Sequence, residues 1–264
     1  MKNKKSLLLT SVIISLIILF ILHYSTIFNI FLSFNIFFVF FSVKFDRYKT
    51  ISDLKFDQNT AINFEKYMKR YPQFYQYLAN IVKKNIAYNK KAVILDLGIG
   101  PGLLTKEINN ILPDAQVIGI DPSEDMLKLS KKNAFVETKI GFAENIPMEN
   151  NSVDVVVSRF NLTYWKDSKK GFNEINRVLN PGGKFILEAL NKDFSHLKLL
   201  LLSIFMVLKG SGFNIARYHH DSYKTAYSIN HVKKLYIDAG FEIIYSEGLN
   251  KDWKYIFVGK KVNA

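Results

Sequence analysis

The sequence predicts an α/β protein, with a mostly parallel sheet of seven strands, an antiparallel last strand and helices on both faces. Three observations carry this prediction. From residue 92 onward short apolar runs alternate with amphipathic segments, the pattern of strands joined by helical crossovers. The first of those runs ends in a glycine-rich turn that opens a helix. The last two runs, 241–246 and 253–259, are joined by the short polar segment 247–252 and read as a hairpin adding an antiparallel edge strand. Ahead of all this lies a separate feature: residues 6–43 contain no Asp, Glu, Lys or Arg.

That block of 38 residues would run about 57 Å as one helix, nearly twice a hydrocarbon core of about 30 Å. Residues 7–22 are apolar apart from Thr10, Ser11 and Ser15; His23, Tyr24, Ser25 and Thr26 form a polar break; residues 27–43 resume with seven Phe. Lys2, Lys4 and Lys5 precede the block, and Lys44, Arg47 and Lys49 follow it. Positive charge at both ends favours both ends in the cytoplasm, which a helical hairpin turning at 23–26 satisfies. A single transmembrane helix is the alternative. A cleaved signal peptide also begins with charge and an apolar stretch, but no small-x-small site follows Leu22 and the hydrophobicity continues. Residues 1–43 are therefore read as a membrane anchor.

Residues 44–91 are polar and aromatic, with Tyr67, Tyr71, Phe74, Tyr75, Tyr77 and Leu78 near helical spacing. They read as a lead-in helical segment packing on the domain at 92–264. In that domain strands are expected at 92–97, 117–120, 135–140, 153–157 and 184–189, before the final pair. Helices are expected at 103–112, 123–131, 168–179 and 231–239. A hydrophobic insertion occupies 192–227, and its run 197–208 is apolar nearly all round. Twelve residues are too few to span a bilayer. This run reads either as a buried core helix or as a monolayer-inserting or acceptor-channel helix beside the anchor.

The turn Asp96-Leu97-Gly98-Ile99-Gly100-Pro101-Gly102 closes the first strand, and glycines there let a ligand approach the backbone. Gly100 and Gly102 are two apart, whereas a dinucleotide fold wants three, and no Gly-Lys-Ser/Thr is present. The second strand ends in Asp121-Pro122, where an acidic side chain can accept from both hydroxyls of a ribose.

These segments resemble class I S-adenosylmethionine-dependent methyltransferases, in the type 11 and quinone-biosynthesis branch. Val93-Ile94-Leu95-Asp96-Leu97-Gly98-Ile99-Gly100-Pro101-Gly102 resembles their first motif and Gly119-Ile120-Asp121-Pro122-Ser123 their second. Gly141-Phe142-Ala143-Glu144-Asn145-Ile146-Pro147 is similar to their adenine-contacting segment, and Asp154-Val155-Val156-Val157-Ser158 to their fourth strand. Arg177-Val178-Leu179-Asn180-Pro181-Gly182-Gly183 and the stretch from Tyr227-Ser228 to Ala239-Gly240-Phe241 extend the resemblance over about residues 60–261. It implies a Rossmann-like fold and S-adenosylmethionine as cofactor. Asp96, Gly98, Gly100, Gly102, Asp121, Pro122, Ala143, Glu144 and Ser158 would line the cofactor. Asp121 would hold the ribose, Asp96 would approach the amino group, and Ala143 would face adenine. Phe142 departs from the family, which usually has Asp there.

On the acceptor side the loop Ser158 to Trp165 lacks the family's usual His before an aromatic. It also lacks the Asp/Asn/Ser-Pro-Pro-aromatic of nucleobase methylating enzymes, which argues against nucleic acid. Asn161, Tyr164 and Trp165 are candidates there, with His219 and His220 in the insertion; no catalytic base is assigned. Adjacent His residues face different ways on regular structure, so no metal is expected. The absence of cysteine excludes disulfides, thiolate metal sites and a Cys nucleophile, and fits a reducing compartment.

The net charge of +13 is uneven: +5 over 1–49, +5 over 50–91, −2 over 92–191 and +5 over 192–264. Positive charge lies in the anchor flanks, the lead-in helix and the C-terminal part rather than in the cofactor core, as expected for docking on anionic headgroups. The sequence thus predicts a membrane-anchored methyltransferase on the cytoplasmic side of a prokaryotic membrane. Its partners would be membrane lipids and a small hydrophobic acceptor: lipid, quinone or isoprenoid. A non-catalytic cofactor-binding scaffold and a tethered methyltransferase of a soluble small molecule remain alternatives.

Overall fold

The computed structural model describes residues 13–30, 32–33, 58–86, 91–248 and 252–262. The chain divides into two compact units, Met1–Lys49 and Thr50–Ala264.

In the first unit, helix α1 (Ile13–Ile30) has a mean hydropathy of 2.1 and exposes its side chains throughout. Its 18 residues rise about 27 Å, close to a hydrocarbon core. The expected turn at His23–Thr26 does not form. Helix α1 runs straight through it, with Ser25 Oγ and Thr26 Oγ1 donating to the Leu22 carbonyl at 2.9 and 2.8 Å. Short hydroxyl side chains satisfy themselves on the preceding helical turn, so a polar cluster need not break a helix. The second half of the expected hairpin lies largely outside the described residues.

The second unit opens with helices α2 (Gln58–Met68) and α3 (Pro72–Lys84). It continues through β1 (Val93–Leu97), α4 (Leu103–Ile111), β2 (Gln116–Asp121), α5 (Glu124–Ala134), β3 (Glu137–Ile140) and β4 (Val153–Arg159). Then come α6 (Ser168–Val178), β5 (Leu179–Leu190), α7 (His196–Leu208), α8 (Phe213–Ser222), α9 (Ile229–Asp238), β6 (Phe241–Glu247) and β7 (Lys254–Lys261). The strands lie in the order β3-β2-β1-β4-β5-β7-β6. Strands β1 to β5 pair in parallel, and β7 pairs antiparallel with both β5 and β6.

Successive side chains of a strand point to opposite faces, and here both faces are covered. Leu95, Leu97, Val156, Phe185, Leu187, Tyr255 and Phe257 point into a core closed by α6 and α9. Their strand neighbours Ile94, Val155, Val157, Ile186, Ile256 and Val258 point into a second core closed by α3, α4 and α5. Tyr75, Leu78, Ala79 and Val82 of α3 belong to that second core, so the lead-in segment is part of the fold.

The last strand is antiparallel as expected, while the edge of the sheet falls to the other strand of the hairpin. Strand β7 is buried on both faces through Tyr255 to Val258, whereas β6 is mostly exposed. A strand apolar on both sides belongs inside a sheet, so β7 inserts next to β5 and β6 takes the edge. Order reverses between β1 and β4, and in open sheets ligands bind outside the carboxyl ends of the strands at such a point.

Around Tyr236, packing is tight: Phe172, Phe185 and Phe241 surround its ring at centroid distances of 5.1, 5.2 and 5.7 Å. A Cβ on Gly259 would lie 2.4 Å from its Cδ1. Gly259→Ala is therefore expected to destabilise the fold by about 1–3 kcal/mol through overpacking. Urea unfolding measures this directly; an unchanged midpoint would show that the ring yields.

Candidate cofactor and acceptor site

The glycine turn climbs from the end of β1 onto the end of β2. Gly98 N–H and Ile99 N–H both donate to the Ile120 carbonyl, at 2.7 and 3.0 Å. Gly98 and Gly100 have φ of +77° and +53°, left-handed values that a side chain strains. At Gly98 the space is taken: a Cβ would meet Asn161 Nδ2 at 1.6 Å. At Gly100 a Cβ would meet nothing within 4 Å. That open space over a turn held by backbone bonds is a cradle for a ligand.

Asp121 closes the cradle from β2. Its Oδ2 accepts from Gly100 N–H and its Oδ1 from Ser123 N–H, each at 2.9 Å. Burial raises its pKa against the pull of these two bonds. Asp96, one strand over, accepts from Thr105 Oγ1 at 2.6 Å. Its pKa is pushed up to about 7, first by burial, with Asp121 adding to the rise and Thr105 and Arg159 opposing it. Two buried carboxylates, Asp121 raising the pKa of Asp96, favour a cationic ligand beside them.

At the next strand end, Phe142 is 51% exposed and Pro122 is also exposed, while Ala143 is buried. Phe142 and Pro122 offer apolar surface to a flat ring. Glu144 Oε1 accepts from Asp167 N–H at 3.0 Å. The open glycine cradle, the paired carboxylates and this apolar edge fit S-adenosylmethionine, which carries an ammonium, a sulfonium, a ribose and an adenine.

The loop after β4 is fixed by one side chain. Asn161 Nδ2 donates to the Leu97 carbonyl at 2.6 Å. Asn161 Oδ1 accepts from Ser158 Oγ at 2.5 Å and from Trp165 Nε1 at 3.1 Å. Asn161, Ser158 and Trp165 thus form one cluster that pins this loop to the glycine turn. Tyr164 faces α8 instead, its hydroxyl 2.7 Å from Ser222 Oγ and its ring 5.6 Å from that of Tyr218. Burial pushes the Tyr164 hydroxyl up to about 12.

The two histidines diverge. The His219 ring lies 5.4 Å from that of Tyr223 and 6.3 Å from that of Trp253, and burial lowers its pKa to about 4. His220 Nδ1 faces Asp221 Oδ1 at 3.8 Å. Among the described residues no group of three or more His, Cys, Asp or Glu could hold a metal.

A buried cluster went unnoticed in the sequence. Arg159 Nε lies 2.6 Å from Glu188 Oε2, and Lys254 Nζ contacts the other carboxylate oxygen. The Arg159 guanidinium sits 4.6 Å from the Tyr75 ring centroid and 4.3 Å from that of Phe160. The available signal was a lone Glu inside the apolar run of β5. Buried carboxylates are almost always paired, so Glu188 called for a cation on a neighbouring strand.

Demethylmenaquinone methyltransferase of Chlorobaculum tepidum is 34% identical over 129 residues, covering 48% of this chain and 53% of that protein. Malonyl-[acyl-carrier protein] O-methyltransferase of Hahella chejuensis is 32% identical over 100 residues, covering 37% and 36%. This chain spans about half the length of the first of these relatives. A Methanococcus maripaludis structure assigned as an S-adenosyl-L-methionine-dependent methyltransferase superposes with a TM-score of 0.60 at 24% identity, covering 82% of this chain and 99% of that one. The second unit accordingly has the Rossmann-like fold of those methyltransferases, and residues 95–187 match the family described as methyltransferase domain.

Proposed function

We propose that the protein is a membrane-anchored S-adenosylmethionine-dependent methyltransferase acting on a small hydrophobic acceptor. The observation that carries this reading is the cradle at Gly100, open above and tied below to the Asp121 carboxylate. When bound, the cofactor supplies an already activated sulfonium methyl, so alignment of the acceptor is most of the task. Proximity and orientation contribute roughly 7–11 kcal/mol in favourable cases. Asp121 would hold the ribose hydroxyls, and Asp96 would set the charge facing the ammonium. Asn161 would keep the loop after β4 in register with the turn, and Tyr164 with Tyr218 would border the acceptor.

Helix α1, with its length and hydropathy, supports anchoring in a bilayer, and the lysines around the uncharged block support a cytoplasmic catalytic unit. The similarity to a protein named for demethylmenaquinone supports an apolar acceptor such as a quinone, isoprenoid or lipid. The similarity to one named for malonyl-acyl-carrier protein favours a second reading, a tethered enzyme with a soluble acceptor.

Membranes containing the full chain, incubated with methyl-labelled cofactor, are expected to place label in the organic extract. Asp121→Ala should remove it, because losing hydrogen bonds to a charged group costs about 1.5–3 kcal/mol each. Label only in the aqueous fraction would favour the soluble acceptor; cofactor binding with no transfer would leave a scaffold.

Cofactor affinity should also depend on pH. Asp96 is protonated below about 7 in the free protein, and only its carboxylate attracts an ammonium. Affinity should therefore fall toward about tenfold per unit as pH drops below that value. Asp96→Asn should flatten the profile. Calorimetry on both sides of neutrality measures this; a wild-type profile as flat as the variant's would contradict it.

A further inference from the structure

Helix α7 is neither of the two simple things its composition allows. It buries Leu199, Ser203 and Met206, and Leu199 joins a small core with Leu190, Tyr223 and Ala226. Its other face carries Leu197, Leu201, Phe205 and Leu208, exposed by 59, 48, 52 and 74%. At 3.6 residues per turn those four fall within about 80° of arc, one continuous stripe opposite the buried face. Such a stripe on a folded domain marks a contact surface.

The surroundings of the stripe identify its partner. Lys198 and Lys209 are exposed along one margin, and the Lys209 ammonium lies 5.6 Å from the Phe205 ring centroid. Arg70 Nη1 donates to the Lys209 carbonyl at 3.0 Å, adding a third cation to that rim. A second copy packed face to face would bring these like charges together, since a two-fold interface presents the same patch from both sides. An anionic leaflet meets both halves of the pattern, taking the apolar side chains among acyl chains and the cations among headgroups. Thirteen helical residues are about 20 Å long, too short to cross but suited to lying in the interface.

We infer that α7 is a second, independent membrane contact: an interfacial helix that seats the Thr50–Ala264 unit on an anionic leaflet. This inference does not depend on the methyltransferase reading. Its consequence concerns the acceptor side. Helix α8 follows α7 and carries Tyr218 beside Tyr164, so the seated helix would lie one helix away from the loop after β4.

Membrane binding alone cannot test this, because α1 would supply it; a local probe can. The chain contains no cysteine, so one introduced cysteine accepts label uniquely. Full-length Leu201→Cys and Phe205→Cys would carry an environment-sensitive nitrobenzoxadiazole label in vesicles of phosphatidylcholine and phosphatidylglycerol. Lys131→Cys, on α5, is the solvent-facing control. The expected result is blue-shifted emission at 201 and 205 with most of the fluorescence lost to shallow doxyl lipids, and neither effect at 131. Replacing phosphatidylglycerol by phosphatidylcholine should weaken the quenching, as should Lys198→Glu with Lys209→Glu.

Emission at 201 and 205 matching that at 131 would overturn the inference. So would a blue shift that doxyl lipids do not quench, which would mean burial against protein, whether this chain's own or a second copy. Circular dichroism checks that each labelled protein is folded. Should either substitution disturb the fold, Leu197→Cys and Leu208→Cys report on the same stripe.

Discussion

The bond from Gly100 N–H to Asp121 Oδ2 joins two constraints that the rest of the site depends on. One is the left-handed backbone of the turn, which Gly98 and Gly100 adopt without strain and which the Ile120 carbonyl holds in place. The other is the burial of an acid at the end of a central strand. Each group needs the other: the amide would otherwise lack an acceptor, and the carboxylate would otherwise be desolvated without compensation. Together they leave an unfilled space above Gly100 and a concentration of negative charge beneath it.

The sheet makes this arrangement possible by being buried on both faces, so that a ligand meets it at the strand ends. Burial also imposes a desolvation cost where charges enter the sheet. Glu188 is fully buried in β5 and is held by Arg159 from β4 and Lys254 from β7, two strands flanking its own. Removing one partner of such a group leaves a charge without solvent. The cluster therefore couples the three strands whose ends border the acceptor side, and the Tyr75 and Phe160 rings around Arg159 tie α3 and the loop after β4 to the same point.

The glycine turn and Asp121 were legible in the sequence because their signal is local: spacing within a few residues fixes both the backbone conformation and the strand end. Most strand and helix positions were legible for the same reason. The place of β7 was not, because hydrophobic alternation shows that a strand is buried but not which strands flank it. The polar residues of α1 misled in the opposite direction, since composition suggests a break while Ser25 and Thr26 satisfy their hydroxyls inside the helix. The sequence offers Asn161 as an acceptor-side candidate, and its three hydrogen bonds run to Leu97, Ser158 and Trp165, a convergence of distant segments that spacing cannot reveal. The sidedness of α7 was hidden because both its faces are apolar, and only the packing of Leu199 and Met206 tells one from the other.

The cradle at Gly100, with Asp121 and Asp96 beside it, is shaped and charged for S-adenosylmethionine rather than for a dinucleotide. Titration calorimetry of the full chain with S-adenosylmethionine, and separately with NAD, tests it most directly. Saturable binding of S-adenosylmethionine, one per chain, with no heat from NAD is the predicted result. Saturable binding of NAD, or no binding of S-adenosylmethionine by folded protein, would contradict it.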